Sequence, residues 1–199
     1  MATTETKGPG PRGRSRERLR AEIAEVAYKV FAERGFDQVT ATEVAAAAGI
    51  SRASFFRYFE SKEDAVFVVQ EERGADVAEA LADRPADEDP WTALRRALDL
   101  AIRNYQRDPA GTLARLRLIR STPALRSHQL DRLDEWREVI GAALAKRLGT
   151  REDDIRVEAL VGAALGAFDT ALTHWSRGDG TEDLLGLIDA AFAAVPGRP

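Results

Sequence analysis

The 199-residue chain has no cysteine, which excludes disulfides and thiolate metal sites and suits a reducing cytoplasm. Long apolar runs are missing too. None approaches the roughly 20 residues that a membrane-spanning helix requires, and the charged N-terminus has no apolar stretch of the kind a secretory signal needs. Extended β-branched runs are absent, and glycine and proline are sparse through the middle of the chain. With 44% apolar and 31% charged residues, ordinary for a globular protein, this composition points to an all-α fold. No His-Glu-x-x-His, P-loop or nucleophile-elbow pattern occurs. The two histidines, His128 and His174, lie far apart beside apolar residues, so they read as packed or surface residues rather than catalysts.

The charge is not uniform either. The net charge is −4, yet residues 1–60 hold 10 Lys/Arg against 8 Asp/Glu, and the remainder 19 against 25. Within 7–20, Lys7, Arg12, Arg14, Arg16, Arg18 and Arg20 face only Glu17. A basic arm on an otherwise acidic chain suits attraction to phosphate at one end; a solvated, disordered tail explains the same residues. Gly8, Gly10 and Gly13 spell G-x-G-x-x-G. No strand precedes them, and Pro9 and Pro11 remove amide donors, so the match is accidental.

What is present is helical periodicity. Residues 1–13, rich in Gly, Pro and Thr, are expected to be a disordered basic arm. From Ser15, Leu19, Ile23, Val26, Val30 and Phe31 recur at three- and four-residue steps up to Arg34-Gly35. Thr40-Ala41-Thr42-Glu43 is a capping box for a short helix that ends at Gly49. Ser51 caps a third helix to about Phe59, and Ser61–Asp64 starts a long fourth one toward Leu81. After an acidic loop at 83–90, a stripe of Trp91, Leu94, Leu98, Ile102 and Tyr105 ends at Asp108-Pro109. Further helices cover Gly111–Arg120 and Pro123–Leu148; one capped by Thr150 with Asp153 runs to Trp175, and one capped by Thr181 ends before Pro196. About nine helices and no strand result. They divide into the arm (1–13), a three-helix domain (14–60) and a larger helical domain (61–199).

Residues 40–62, TATEVAAAAGISRASFFRYFESK, carry the informative pattern. A helix-turn-helix needs small residues where two helices cross, which Ala45 and Ala48 supply, and a turn residue tolerant of positive φ, which is Gly49. Ile50, Phe55 and Phe59 then anchor the second helix, leaving Arg52, Ala53, Ser54, Phe56 and Arg57 to face a groove. From Phe31 through Lys62, including Ala32–Phe36, the chain resembles the tetracycline-repressor (TetR) family.

The resemblance implies a dimeric, ligand-responsive DNA-binding repressor in the cytoplasm, with no cofactor. Arg52, Ala53, Ser54 and Arg57 would face base edges, with Arg52 equally suited to a phosphate. Thr40, Thr42, Ser51, Tyr58 and Lys62 lie where the family holds the phosphate backbone, and Arg14 would add backbone or minor-groove contacts. Phe56 stands where many relatives have Tyr, so a phosphate hydrogen bond is replaced at most by contact with a thymine methyl group.

Leu116–Gly149 is similar to the C-terminal domain of an actinobacterial-type branch that includes regulators associated with mycofactocin clusters, some responsive to acyl-CoA. Trp91, Ile102, Tyr105, Leu116, Ile119, Trp136 and Phe168, with Arg120 as a cation, form the expected effector site. A packed amphipathic core explains the same residues. In the family the last two helices, here about 155–176 and 182–194, pair with those of a second copy; the small residues Gly162, Ala163, Gly166 and Ala167 fit such a contact. A helical protein-interaction adaptor would suit the acidic C-terminal half but leaves the Gly49–Lys62 pattern unexplained, and an enzyme has no residues to work with.

Overall fold

The computed structural model describes residues 11–68 and 73–195. Among them are eleven α-helical segments, one 3₁₀ turn and no strand, and the chain divides into two compact units, Met1–Val69 and Gln70–Pro199. The fold is all-α, as the periodicity predicts. The larger number of segments has two sources. The stripe from Trp91 to Tyr105 is broken at Leu98, where ψ rotates to −11°. The fourth helix is described on either side of residues 69–72, which lie outside the described residues.

In the first unit, α1 (Pro11–Arg34) begins a little ahead of Ser15, with Pro11 in a first turn where its fixed φ is favourable. Of the expected disordered arm, residues 1–10 lie outside the described residues and 11–13 belong to this helix. The buried face of α1 is Ile23, Ala24, Ala27 and Phe31, whereas Leu19 is 37% exposed and Val26 and Val30 are half-buried. The true stripe is thus rotated toward the alanines, because small side chains let α2 (Ala41–Ala47) and α4 (Asp64–Phe67) pack close to α1. Gly35 takes φ 83°, ψ 137°, a positive-φ exit into extended chain that seats the ring of Phe36 4.8 Å from that of Phe31. A 3₁₀ turn at Phe36–Gln38 leads to α2. Between α2 and α3 (Arg52–Phe56), Gly49 has φ +70°, and the Ile50 amide donates back to the Ala45 carbonyl at 2.9 Å. Ile50 is half-buried rather than fully sealed.

The second unit comprises α5 (Arg73–Ala82), α6 (Pro90–Ala97), α7 (Asp99–Arg107), α8 (Pro109–Ser121), α9 (Pro123–Leu148), α10 (Ile155–Arg177) and α11 (Leu184–Ala194). One apolar core runs through it, with Leu81, Leu94, Leu98, Leu144, Phe168 and Ile188 almost fully buried. Helix α9 stops where expected: Gly149 adopts the left-handed conformation (φ 63°, ψ 32°), and the Thr150 amide returns to the Ala145 carbonyl at 3.0 Å. Two caps differ from the sequence reading. Asp154, not Thr150 with Asp153, caps α10 by accepting from Arg156 N, while Thr150 Oγ1 braces the Asp154 carboxylate at 2.7 Å. Asp183, not Thr181, caps α11 by accepting from the Leu185 and Gly186 amides. An aspartate nearer each helix start wins because its ionised oxygens suit the positive end of the helix dipole.

The core position of Leu144 against the 60% exposure of Leu130 on the same helix gives a simple check in urea unfolding. Leu144→Ala should cost about 2–5 kcal/mol, and Leu130→Ala should stay within about 0.5 kcal/mol. Equal losses would contradict the orientation of α9.

Candidate nucleic-acid interface

The first unit builds one polar, open face from α2 and α3. Thr40 caps α2 in a reciprocal box. Its Oγ1 accepts from the Glu43 amide at 3.3 Å, and the Glu43 carboxylate accepts from Thr40 N at 2.9 Å and Thr40 Oγ1 at 2.8 Å. Arg34 from the end of α1 pairs with the same carboxylate. Thr40 and Thr42 are exposed at the α2 N-terminus, where the helix dipole favours an anion. Ser51 caps α3 by accepting from the Ser54 amide at 3.0 Å, and the two hydroxyls lie 3.0 Å apart.

Burial separates the two sides of α3. Phe55 is completely buried and Phe59 nearly so, their ring centroids 4.9 Å apart. Arg52, Ala53, Phe56 and Arg57 are exposed. These four positions, spaced i, i+1, i+4 and i+5, share one helical face. Phe56 is 41% exposed and stands edge-on to Phe55. The Arg52 guanidinium carbon lies 5.0 Å from the Phe56 ring centroid, which pre-orients the cation at the surface. Ser54 and Tyr58 are half-buried flanks.

Two arginines of α1 finish the opposite end of α3. Arg16 Nη2 donates to the Arg57 carbonyl at 3.3 Å, and Arg20 Nε donates to the Tyr58 carbonyl at 3.1 Å. Cations on the free carbonyls of a helix C-terminus are favourable. Ser15, Arg16, Leu19, Arg57 and Tyr58 together line a shallow groove beside α3. Arg16 and Arg20, which charge alone places only in the basic arm, share one face of α1 at four-residue spacing, the signal in the chain that points to this paired role. Arg14 falls within α1, its side chain outside the described residues. Lys62, expected on a phosphate, is half-buried. Its Nζ donates to the carbonyls of Phe36 and Val39, both at 2.9 Å, and lies 4.2 Å from the Phe36 ring centroid.

The expected effector residues all belong to the second unit. Ile102, Tyr105, Leu116, Ile119, Trp136 and Phe168 are buried, with the rings of Tyr105 and Phe168 6.1 Å apart. Trp136 closes against Gly74, where an added Cβ would fall 2.7 Å from its ring. Arg120 is paired with Asp169 at 3.3 Å, and burial pushes its pKa down. Trp91 sits apart, its ring 4.7 Å from Phe192 and its Nε1 donating to the Phe192 carbonyl, and it lines an open groove between α6 and α11. A hollow of about 10 Å³ lies among Val77, Leu94, Leu98, Ile140, Val161, Ala164 and Leu165, roughly the least that would admit one water. None of the eight expected residues lines it. No group of three or more His, Asp or Glu residues able to hold a metal occurs among the described residues, and none of the helices searched there is long and apolar enough to cross a membrane.

Comparison with known proteins follows the division into units. Residues 23–67 match the model of bacterial regulatory proteins, tetR family, and residues 88–198 match the model of the MftR C-terminal domain. The chain is 32% identical over 186 residues to a protein of Mycobacterium tuberculosis named as a mycofactocin biosynthesis transcriptional regulator, MftR, covering 92% of both chains. It is 29% identical over 153 residues to the HTH-type transcriptional regulator TcmR of Streptomyces glaucescens, covering 74% of this chain and 68% of that one. In fold it is similar to the fatty acid degradation regulator FadR from Bacillus halodurans, with TM-score 0.62, 22% identity and coverage of 89% and 98%. It is also similar to Thermus thermophilus FadR in complex with lauroyl-CoA, with TM-score 0.53, 22% identity and coverage of 90% and 96%.

The capping box carries its own pH dependence. Hydrogen bonds from the Thr40 backbone, then from Arg34 and the Thr40 hydroxyl, hold the Glu43 pKa at about 2 against an ordinary 4.5. A depressed carboxylate stabilises the fold fully above its unfolded value and loses that contribution as pH falls through the folded one. Glu43→Gln should therefore melt at a lower temperature than the native chain at pH 7, and the gap should close between pH 4.5 and about 2. A gap that persists unchanged at pH 2 would mean the ionised carboxylate is not what braces α2.

Proposed function

The chain belongs to the tetR family of bacterial regulatory proteins and is a helix-turn-helix transcriptional regulator rather than an enzyme; from that premise we propose that it is a cytoplasmic repressor which binds a palindromic operator as a homodimer and leaves it when a hydrophobic effector binds. The observation that carries the DNA-binding part is the open face of Arg52, Ala53, Phe56 and Arg57 on a helix whose other side is sealed by Phe55 and Phe59. Each arginine can bind guanine O6 and N7 in a bidentate manner, and Phe56 and Ala53 suit thymine methyl groups. Thr40, Thr42, Ser51, Tyr58 and the arm at Arg14 would hold the flanking phosphates.

The dimer is supported by α10 and α11. Nothing lies within 4 Å of a Cβ added at Gly162 or Gly166, and Leu185 on α11 is 41% exposed. A two-fold partner packed there would close the smooth side of α10; a palindromic operator asks such a dimer to present its recognition helices roughly 34–36 Å apart, one turn of DNA. The effector is read from the apolar core of the second unit and from the likeness in fold to Thermus thermophilus FadR in complex with lauroyl-CoA; an acyl group, carried on coenzyme A, is the class proposed. The core hollow among the described residues at Val77, Leu98 and Ile140 is small, so a ligand entering there would part packed helices. It would therefore stabilise a second conformation, and a coupling of about 1–3 kcal/mol to operator affinity is typical.

Selection of bound fragments from genomic DNA, followed by titration of the recovered duplex, tests this reading. Arg52→Ala and Arg57→Ala should each cost about 1–3 kcal/mol on that duplex and relax preference at one base pair. Equal losses on operator and random DNA would remove the base-reading role. An operator affinity unchanged by saturating long-chain acyl-CoA would remove the proposed effector class.

A further inference from the structure

We propose that Lys62 is a positioning residue, a clasp that holds the helix-turn-helix in its DNA-reading geometry, and not a ligand of the DNA backbone. The inference rests on the DNA-binding reading above and deepens it. An ammonium has three N–H donors and no acceptor. Two of them are directed at the carbonyls of Phe36 and Val39, each at 2.9 Å, and the cation also lies 4.2 Å from the Phe36 ring centroid, within the range of an attractive cation–π contact. Phe36 and Val39 are themselves 3% and 1% exposed. Two donors committed to carbonyls leave one N–H, and a phosphate that drew the ammonium outward would break charge-assisted hydrogen bonds and leave poorly solvated carbonyls behind, a cost that one solvent-screened phosphate contact does not repay.

The place of the clasp in the chain gives it a consequence. Phe36 and Val39 lie in the connection that enters α2, immediately before the Thr40 cap, and Lys62 lies in the connection that leaves α3, immediately before α4. The two bonds span 26 and 23 residues, enclosing the whole of α2, the Gly49 turn and α3. A cation at the neck of this loop fixes both its ends against one another. The exposed arginines then meet DNA from a closed frame. Lysine suits the position because a compact point cation fits between two carbonyls and a ring, where the planar fork of arginine has a different shape.

The test uses the full chain with a selected operator duplex and a scrambled one. Lys62→Met keeps the apolar stem and removes the donors. Its operator affinity should fall about tenfold, the loss expected from removing a hydrogen bond to a charged group. Preference for operator over scrambled duplex should fall with it, a change that mere loss of stability in a still-folded protein would not produce. The slope of log affinity against log salt should equal that of the native chain. A lost phosphate contact instead lowers that slope by about one.

The native chain supplies an independent measurement. The side-chain ¹⁵N resonance of Lys62, assigned by its loss in Lys62→Arg, should show protected ammonium protons in the free protein and no ³¹P coupling when operator is added. A salt slope lowered by about one, an unchanged operator preference, or ³¹P coupling at Lys62 would each overturn the proposal. If Lys62→Met does not fold, the resonance of the native chain decides. Should the native chain prefer no duplex, the DNA-binding reading fails, while ammonium protection in the free protein still tests the clasp.

Discussion

A helix of five residues does not persist in water without support, since nucleating one turn costs more order than its few hydrogen bonds return. The recognition segment Arg52–Phe56 is such a helix, and everything it offers to DNA depends on what holds it. Burial of Phe55 and Phe59 beneath it supplies most of the hold, at about 1.5–3 kcal/mol for a fully buried side chain of this size. The ends are finished by local chemistry: the Ser51 hydroxyl on the Ser54 amide, and Arg16 and Arg20 on the carbonyls of Arg57 and Tyr58. Because the apolar anchors point one way, the remaining positions of so short a helix have nowhere to go but outward.

The same constraint explains how the domain uses its charge. A basic surface attracts phosphate whatever the fold, but Arg20 and Lys62 are turned onto backbone carbonyls, and Arg34 is turned onto Glu43. These cations stiffen the scaffold. Arg52 and Arg57, whose guanidinium groups rest over aromatic rings instead, stay at the surface. Counting positive residues along the chain cannot tell the two uses apart.

In the second unit the governing fact is close packing. Aromatic and aliphatic residues that would suit an acyl chain are here engaged with one another, as the Tyr105–Phe168 and Trp91–Phe192 pairs show. Burial of this kind stabilises the packed arrangement. An effector of the class proposed would have to replace those contacts with its own, and that exchange would give it leverage over the conformational equilibrium. The loop at 83–89 is pinned by polar contacts. Arg147 donates to the carbonyls of Arg84, Pro85 and Glu88, and the ion pairs of Glu88 with Arg84 and Arg96 keep its pKa at about 2.

Features governed by neighbours a few residues away were legible in the chain. The Thr40–Glu43 box, the Gly49 turn, the Gly149 stop and the all-helical pattern depend on local dihedrals and hydrogen bonds, which residue order specifies directly. Features that need a partner from elsewhere were not. Periodicity alone did not show that α1 buries Ala24 and Ala27 rather than Leu19, because that rotation is set by helices packing from distant segments. Ile102, Tyr105, Leu116, Ile119, Trp136 and Phe168 are buried, yet order along the chain does not show whether such residues line a chamber or fill one. Nor could it distinguish a lysine facing phosphate from one facing its own backbone. The carbonyls that Lys62 meets lie more than twenty residues earlier, and only folding brings them within reach.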